Sequence, residues 1–234
     1  MAISGKWIPC VNAFLRLVRM NRCLWVSDTL MFIKPPLTCQ DGTLPPEDKR
    51  IEIFRVNDSV IVPELVQCLD GSKDYNYTPI QLKDKFEKMF REGSCVWIAR
   101  DMEQEGRIAG LLWITSHQYS IQERIRLLLP NALAFQEFVF THEDYRRLGL
   151  YSRILQTAHR HSPSTALGSI ISSYNVPSIQ AHQKIGFQKH GCIIYFFFFG
   201  CMLATFRFGN VRKRFFRIKS NELYRIDISK GNWQ

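Results

Sequence analysis

Between Thr141 and Ser152 the chain reads THEDYRRLGLYS, the stretch of the sequence best suited to bind an anion. Arg146 and Arg147 supply positive charge, and Gly149 lets the backbone approach a ligand without a Cβ in the way. Leu150, Ile154, Leu155 and Ala158 then recur at helical spacing, so a helix opens directly after the glycine. The unpaired N–H groups at a helix N-terminus, with its positive potential, receive phosphate well. By spacing alone the segment also suits an ordinary loop-to-helix junction.

A second segment begins 24 residues after Tyr151 and reads NVPSIQAHQKIGF, from Asn175 to Phe187. Asn175 can bond backbone or ligand at a strand end. Ser178, Ala181, His182 and Ile185 lie on adjoining parts of one helix surface. Gly186 stops that helix and Phe187 starts the next strand. Taken alone, this reads as a plain helix with a glycine cap.

The elements that must carry these segments follow from patterning. Arg50 to Val56 is a strand, and Asn57 or Asp58 caps a helix through Val62 to Leu69, with Pro63 in its first turn. Gln81 to Arg91 is a second helix. Cys95 to Arg100 and Ile108 to Thr115 form a hairpin. After a loop containing Pro130 come a strand over Ala132 to Thr141, a helix over Leu150 to His161, a strand over Leu167 to Ser173 and a helix over Pro177 to Ile185. Two strands fill the aromatic run that follows. The order predicts an α+β fold: a mixed sheet with one parallel pair in the strand–helix–strand unit and helices on both faces.

Ahead of this, residues 1–48 read as an extension. It holds an amphipathic helix (Trp7, Ile8, Val11, Phe14, Leu15 and Val18, with arginines interleaved), one or two short strands between Leu24 and Ile33, and a Pro-rich link. That helix suits packing on its own domain or lying at a membrane interface. Residues 49–208 form the main domain, and 209–234 a basic tail in which Tyr224, Ile226 and Ile228 suggest one more strand. The uncharged run Cys192–Phe206 has 15 residues, short of the roughly 20 that a spanning helix needs.

Composition narrows the classes. The excess of 31 basic over 21 acidic residues favours phosphorylated cofactors, nucleic acid or an anionic surface as partners. No recognised nucleic-acid module surrounds the basic tail, so no nucleic-acid partner is expected. The seven scattered cysteines form neither a disulfide framework nor a zinc set, which points to a reducing, cytoplasmic setting and to no metal.

Together the two segments resemble the GNAT superfamily of N-acetyltransferases. Its pyrophosphate-loop pattern, Gln/Arg-x-x-Gly-x-Gly/Ala, falls on Arg146, Gly149 and Tyr151. Its later pattern, Asn-x-x-Ala…Tyr-x-Lys-x-Gly-Phe, falls on Asn175, Ser178, His182, Lys184, Gly186 and Phe187. The resemblance covers about Arg50 to Phe208. It implies a mostly antiparallel sheet in which Ala132–Thr141 and Leu167–Ser173 splay apart as a parallel pair. It also implies acetyl-CoA, or another acyl-CoA, as co-substrate. Phe138, Val139, Phe140 and Thr141 would bond the pantetheine arm; Arg146 and the amides of Arg147, Leu148, Gly149, Leu150, Tyr151 and Ser152 would hold the pyrophosphate; Asn175 and Ser178 would add contacts.

The activity implied is direct transfer of an acetyl group to a primary amine of a small molecule, such as an amino sugar or amino-acid derivative, within a ternary complex. Glu137, expected on one face with Phe135 and Val139, is the base, or else a carboxylate that only orients substrate. His182 stands where the family usually has a tyrosine acid; it is the acid here, or a packing or cofactor contact, with Tyr151, Tyr174 or Tyr195 as substitutes. Tyr151 stands where the family prefers Gly or Ala, so its ring must turn away from the pyrophosphate. These two departures keep a non-catalytic acyl-CoA-binding scaffold open. The basic N-terminus and tail keep open a peripheral acyltransferase at the inner membrane surface, acting on a lipid or lipid-linked glycan. A homodimer is a further option.

Overall fold

The computed structural model describes residues 24–36, 49–70, 77–121, 125–162, 165–198, 201–208, 211–218 and 223–228. The expected amphipathic helix, Cys10, Cys23, Cys39 and Pro45–Pro46 lie outside them. In chain order the elements are β1 (Leu24–Lys34), β2 (Ile51–Val56), α1 (Val62–Leu69), α2 (Pro79–Arg91), β3 (Cys95–Asp101), β4 (Arg107–Thr115), β5 (Gln118–Ile121), β6 (Ile125–Leu128), β7 (Leu133–Thr141), α3 (Leu150–Arg160), β8 (Ala166–Ser172), α4 (Val176–Lys184), β9 (Gln188–Phe198), β10 (Cys201–Phe208), β11 (Val211–Ile218) and β12 (Tyr224–Asp227). The fold is α+β with mostly antiparallel pairing, and it divides into two compact units.

One unit comprises residues 37–116 and 135–164. Its strands run in the order β7-β4-β3-β2, every neighbouring pair antiparallel. Alternation along the strands sorts their side chains onto two faces. Val96, Ile98, Leu111, Phe138 and Phe140 join Leu65 and Leu69 of α1 and Leu82, Phe86 and Met89 of α2 in one core. On the opposite face Trp97 meets His161 just past α3, with ring centroids 4.8 Å apart. Gly110 is why α3 can lie so close. A Cβ there would stand 3.1 Å from the Phe140 carbonyl and 3.3 Å from both Ile154 and Leu150. Helices therefore cover both faces of this unit's strands.

The helix starts have local causes. Asp58 accepts from Val60 N–H at 3.0 Å and caps a 3-10 turn that leads into α1, with Pro63 where its missing N–H costs little. Thr78 and Gln81 form a reciprocal capping box at α2, a device worth about 1 kcal/mol.

The other unit comprises residues 1–36, 117–134 and 165–234. Its larger set of strands runs β11-β10-β9-β1-β8, all antiparallel neighbours. The span Leu24–Ile33, expected as one or two short strands, lies in a single strand of 11 residues, Leu24–Lys34, paired along both edges. The aromatic run forms β9 and β10, and the tail adds two strands rather than one. Of these β11 pairs with β10, and β12 runs parallel to β6 beside β5. The expected splayed pair corresponds to β7 and β8, and residues 135–141 of β7 belong to the unit that does not hold β8. Among the described residues, no helix is long and apolar enough to cross a membrane.

Candidate active site

Residues 142–149 form a loop pinned from below. His142 accepts from Asp144 N–H and opens a 3-10 turn over Glu143–Tyr145. The Tyr145 hydroxyl donates to the buried Asp101 carboxylate at 2.7 Å. That bond, with further help from backbone N–H groups and from Arg50, holds Asp101 below its ordinary pKa. Burial and the same partner push the Tyr145 phenol up to about 12. Arg107 of the hairpin reaches both Asp144, at 3.2 Å, and the His142 ring, at 2.7 Å. A buried tyrosine–carboxylate bond and an arginine fork thus fix the loop on the turn of the β3–β4 hairpin.

Above these anchors, Arg146, Arg147, Leu148 and Gly149 are all exposed. Arg146 donates through Nε to the Thr141 carbonyl at 3.2 Å. Arg147 has φ +66° and Gly149, the N-cap of α3, has φ +72°. The second of these is the left-handed conformation that glycine adopts without penalty. Helix α3 opens directly after this turn, with no side-chain cap on its first turn. No acidic residue lies in that first turn. Two arginines, a left-handed glycine and a helix start suit a pyrophosphate.

Tyr151 does not crowd that position. Its hydroxyl donates to Gln136 Oε1 at 2.6 Å, which carries the ring back against β7. The ring therefore turns away from the loop, as the sequence requires.

Glu137 differs from expectation in one respect. Trp113 pairs with Phe138 while the next residue, Ile114, pairs with Gln136, so Glu137 is the extra residue of a β-bulge. The bulge breaks the two-residue alternation. Gln136 faces α3 through Tyr151, whereas Phe138 meets Phe86 of α2 edge-on, with centroids 5.5 Å apart. Glu137 turns to this same α2 side, where Ser94 Oγ donates to its Oε2 at 3.0 Å. It therefore shares a face with Phe138, not with Val139, which pairs with Leu112 on the other side. Burial raises the Glu137 pKa; the bond from Ser94 and the charges of Lys85 and Lys88 pull against it, while Glu92 adds to it. The wall beside it is aromatic, with Phe86 stacked on Trp113 at 5.3 Å and Phe90 edge-on to Trp113 at 4.6 Å.

In the other unit, the second segment is a connected set. Asn175 accepts from Ser178 N–H at 3.2 Å and caps α4. His182 is buried, with 6% of its surface exposed. Its Nδ1 lies 2.8 Å from the Ser178 carbonyl, which can only accept, so Nδ1 carries the proton. In the neutral ring Nε2 then accepts from Ser169 Oγ at 3.0 Å. Phe187 stands edge-on to the ring at 5.0 Å. Burial lowers the His182 pKa, partly offset by the Ser178 bond. Lys34 donates to the Ile185 carbonyl at 2.8 Å and closes the end of α4.

The structure thus gathers Glu137, Phe138, Val139, Phe140 and Thr141 with residues 146–152 in one unit, and Asn175, Ser178 and His182 in the other. Sequence reasoning did not find Ser94, Gln136, Lys85 or the Tyr145–Asp101 bond. Ser94 is 43 residues from Glu137, and no spacing rule joins them.

A family model described as "Acetyltransferase (GNAT) family" matches residues 62–187, more than half of the sequence. Among solved structures, a functionally unknown conserved protein from Staphylococcus epidermidis is similar with TM-score 0.55 and 9% identity, over 78% of this chain and 64% of that one. A tandem GNAT protein from the clavulanic acid biosynthesis pathway gives TM-score 0.51 and 14% identity, over 80% and 58%. An acetyltransferase from the GNAT family of Colwellia psychrerythraea gives TM-score 0.50 and 12% identity, over 83% and 62%. At such identities these are likenesses of fold alone. The chain spans between 58% and 64% of the length of these structures. No curated protein matches it.

Proposed function

This chain belongs to the acetyltransferase (GNAT) family, and we propose that it moves an acetyl group from acetyl-CoA to the primary amine of a small molecule by direct transfer. The observation that carries this reading is the environment of Glu137: a half-buried carboxylate with a raised pKa, set by a bulge on the strand that runs into an anion-suited loop.

Arg146, Arg147 and the amides from Arg147 to Ser152 would take the pyrophosphate of acetyl-CoA, and the β7 backbone from Phe138 to Thr141 would run along its pantetheine arm. The amine nitrogen attacks the thioester carbon, a C–N bond forms and the C–S bond breaks. The amine proton passes to Glu137, whose raised pKa makes it a better acceptor than an ordinary carboxylate. The sulfur leaves as the thiolate of CoA.

His182 has a positioning role in this reading, not that of the acid. Its one ring proton at neutral pH is committed to the Ser178 carbonyl, and burial disfavours a second. The ring instead ties α4 to Ser169 on β8. Asn175 and Ser178 shape the start of α4.

The test is thiol release from acetyl-CoA in the presence of a panel of primary amines, with Glu137→Gln as the control. Amine-dependent release that the substitution removes supports the proposal. Retained acetyl-CoA binding with no turnover would favour a non-catalytic acyl-CoA-binding protein.

A further inference from the structure

We propose that the acceptor amine carries a carboxylate, and that Lys85 binds it. The inference rests on Glu137 being the base, and it names the class of acceptor. Lys85 lies midway along α2, and its ammonium is held in a fixed place. Nζ sits 4.9 Å above the Phe138 ring centroid and 4.7 Å above that of Tyr77, and it donates to the Tyr77 hydroxyl at 3.3 Å. Two aromatic faces hold the cation without neutralising it.

Its charge has no acidic partner on its own helix. The residues three and four positions away are Gln81, Leu82, Lys88 and Met89. Lys83 and Arg91 both pair with Glu87, whereas among the described residues no carboxylate lies within ion-pair distance of Lys85. The bulge puts Glu137 on the same side of β7 as Phe138, so the carboxylate and the ammonium border one region. Lys85 is close enough for its charge to act on Glu137.

That pairing selects among amines. A second positive charge on the acceptor would approach Lys85 and be repelled. A carboxylate near the amine would instead align the acceptor as a dipole against the protein's own, with nitrogen toward Glu137 and carboxylate toward Lys85. The adjacent ammonium also favours the neutral, nucleophilic form of the arriving amine. Amino acids and similar carboxylated amines fit; polyamines and polycationic amino sugars do not.

The experiment compares amino acids with their carboxamides as acceptors, by thiol release from acetyl-CoA in the full chain, and repeats this in Lys85→Met and Lys85→Arg. The acids are expected to show kcat/KM at least about tenfold above their amides, an effect of the size one charge contact gives. Lys85→Met should erase the difference by raising KM for the acids alone, and Lys85→Arg should retain it. Thermal melting of each variant confirms that it folds. Equal turnover of acids and amides, or a preference that survives Lys85→Met, overturns this proposal and leaves the transferase reading standing. No turnover with any amine overturns both.

Discussion

The Tyr151 hydroxyl donates to Gln136 Oε1 at 2.6 Å, which ties the first turn of α3 to the strand residue just before Glu137. Burial holds the phenol well above its ordinary pKa, so it stays a donor across the pH range of interest. The Nε2 of Gln136 is buried and has no hydrogen-bond partner among the described residues. Tyr151→Phe leaves Oε1 without its donor and should cost about 1–3 kcal/mol, read as a lower denaturation midpoint. Pairing it with Gln136→Leu should recover most of that loss, because both polar partners then go together. Affinity for acetyl-CoA should change little in Tyr151→Phe, since the backbone amide remains.

Glu137 should set the acid limb of the pH profile. Its carboxyl is raised by burial, so as a base it becomes competent only as pH rises through a value above the ordinary ~4.3. Accordingly kcat/KM should climb with pH through that raised value. Glu137→Gln should lower kcat by about a hundredfold or more and flatten the limb. Ser94→Ala removes a bond that favours the charged form, so the limb should move to higher pH. A limb that stays in place in Ser94→Ala would mean that another group titrates there.

His182 should make folding sensitive to mild acid. Its folded pKa lies below the model-peptide value of ~6.5, so in that window the unfolded chain binds more protons than the folded one. Stability is therefore full above pH ~6.5 and falls as pH drops from there toward the lower folded value. Denaturant midpoints at pH 7.5 and 5.5 measure the difference. His182→Gln should reduce it, with a remainder from His190, whose pKa burial also lowers.

What could be read from the sequence was whatever repeats or caps locally. The Val62–Leu69 and Gln81–Arg91 helices, the Cys95–Thr115 hairpin and the loop-to-helix junction at Gly149 all carry periodicity, a cap or a glycine at the required place. The elements overlooked lack such marks. The strands β5 and β6 have four residues each, too few for alternation to register. Nothing local gives β11 a partner, or shows that Leu24–Lys34 is paired on both edges. The bulge at Glu137 depends on the register against β4, which a strand's own residues do not state. The sharpest consequence falls at the candidate base. Its residue type and strand were legible, but its side of the strand and its partner Ser94 were not.

Gly149 offers the most direct measurement. A Cβ at this position would meet nothing within 4 Å, so the cost of Gly149→Val falls on the backbone, held at φ +72°. Calorimetric titration with acetyl-CoA should show binding to the unsubstituted protein, and its loss in Gly149→Val with the fold retained. Failure of the unsubstituted protein to bind acetyl-CoA would contradict the account at its centre, leaving a GNAT fold without its cofactor chemistry.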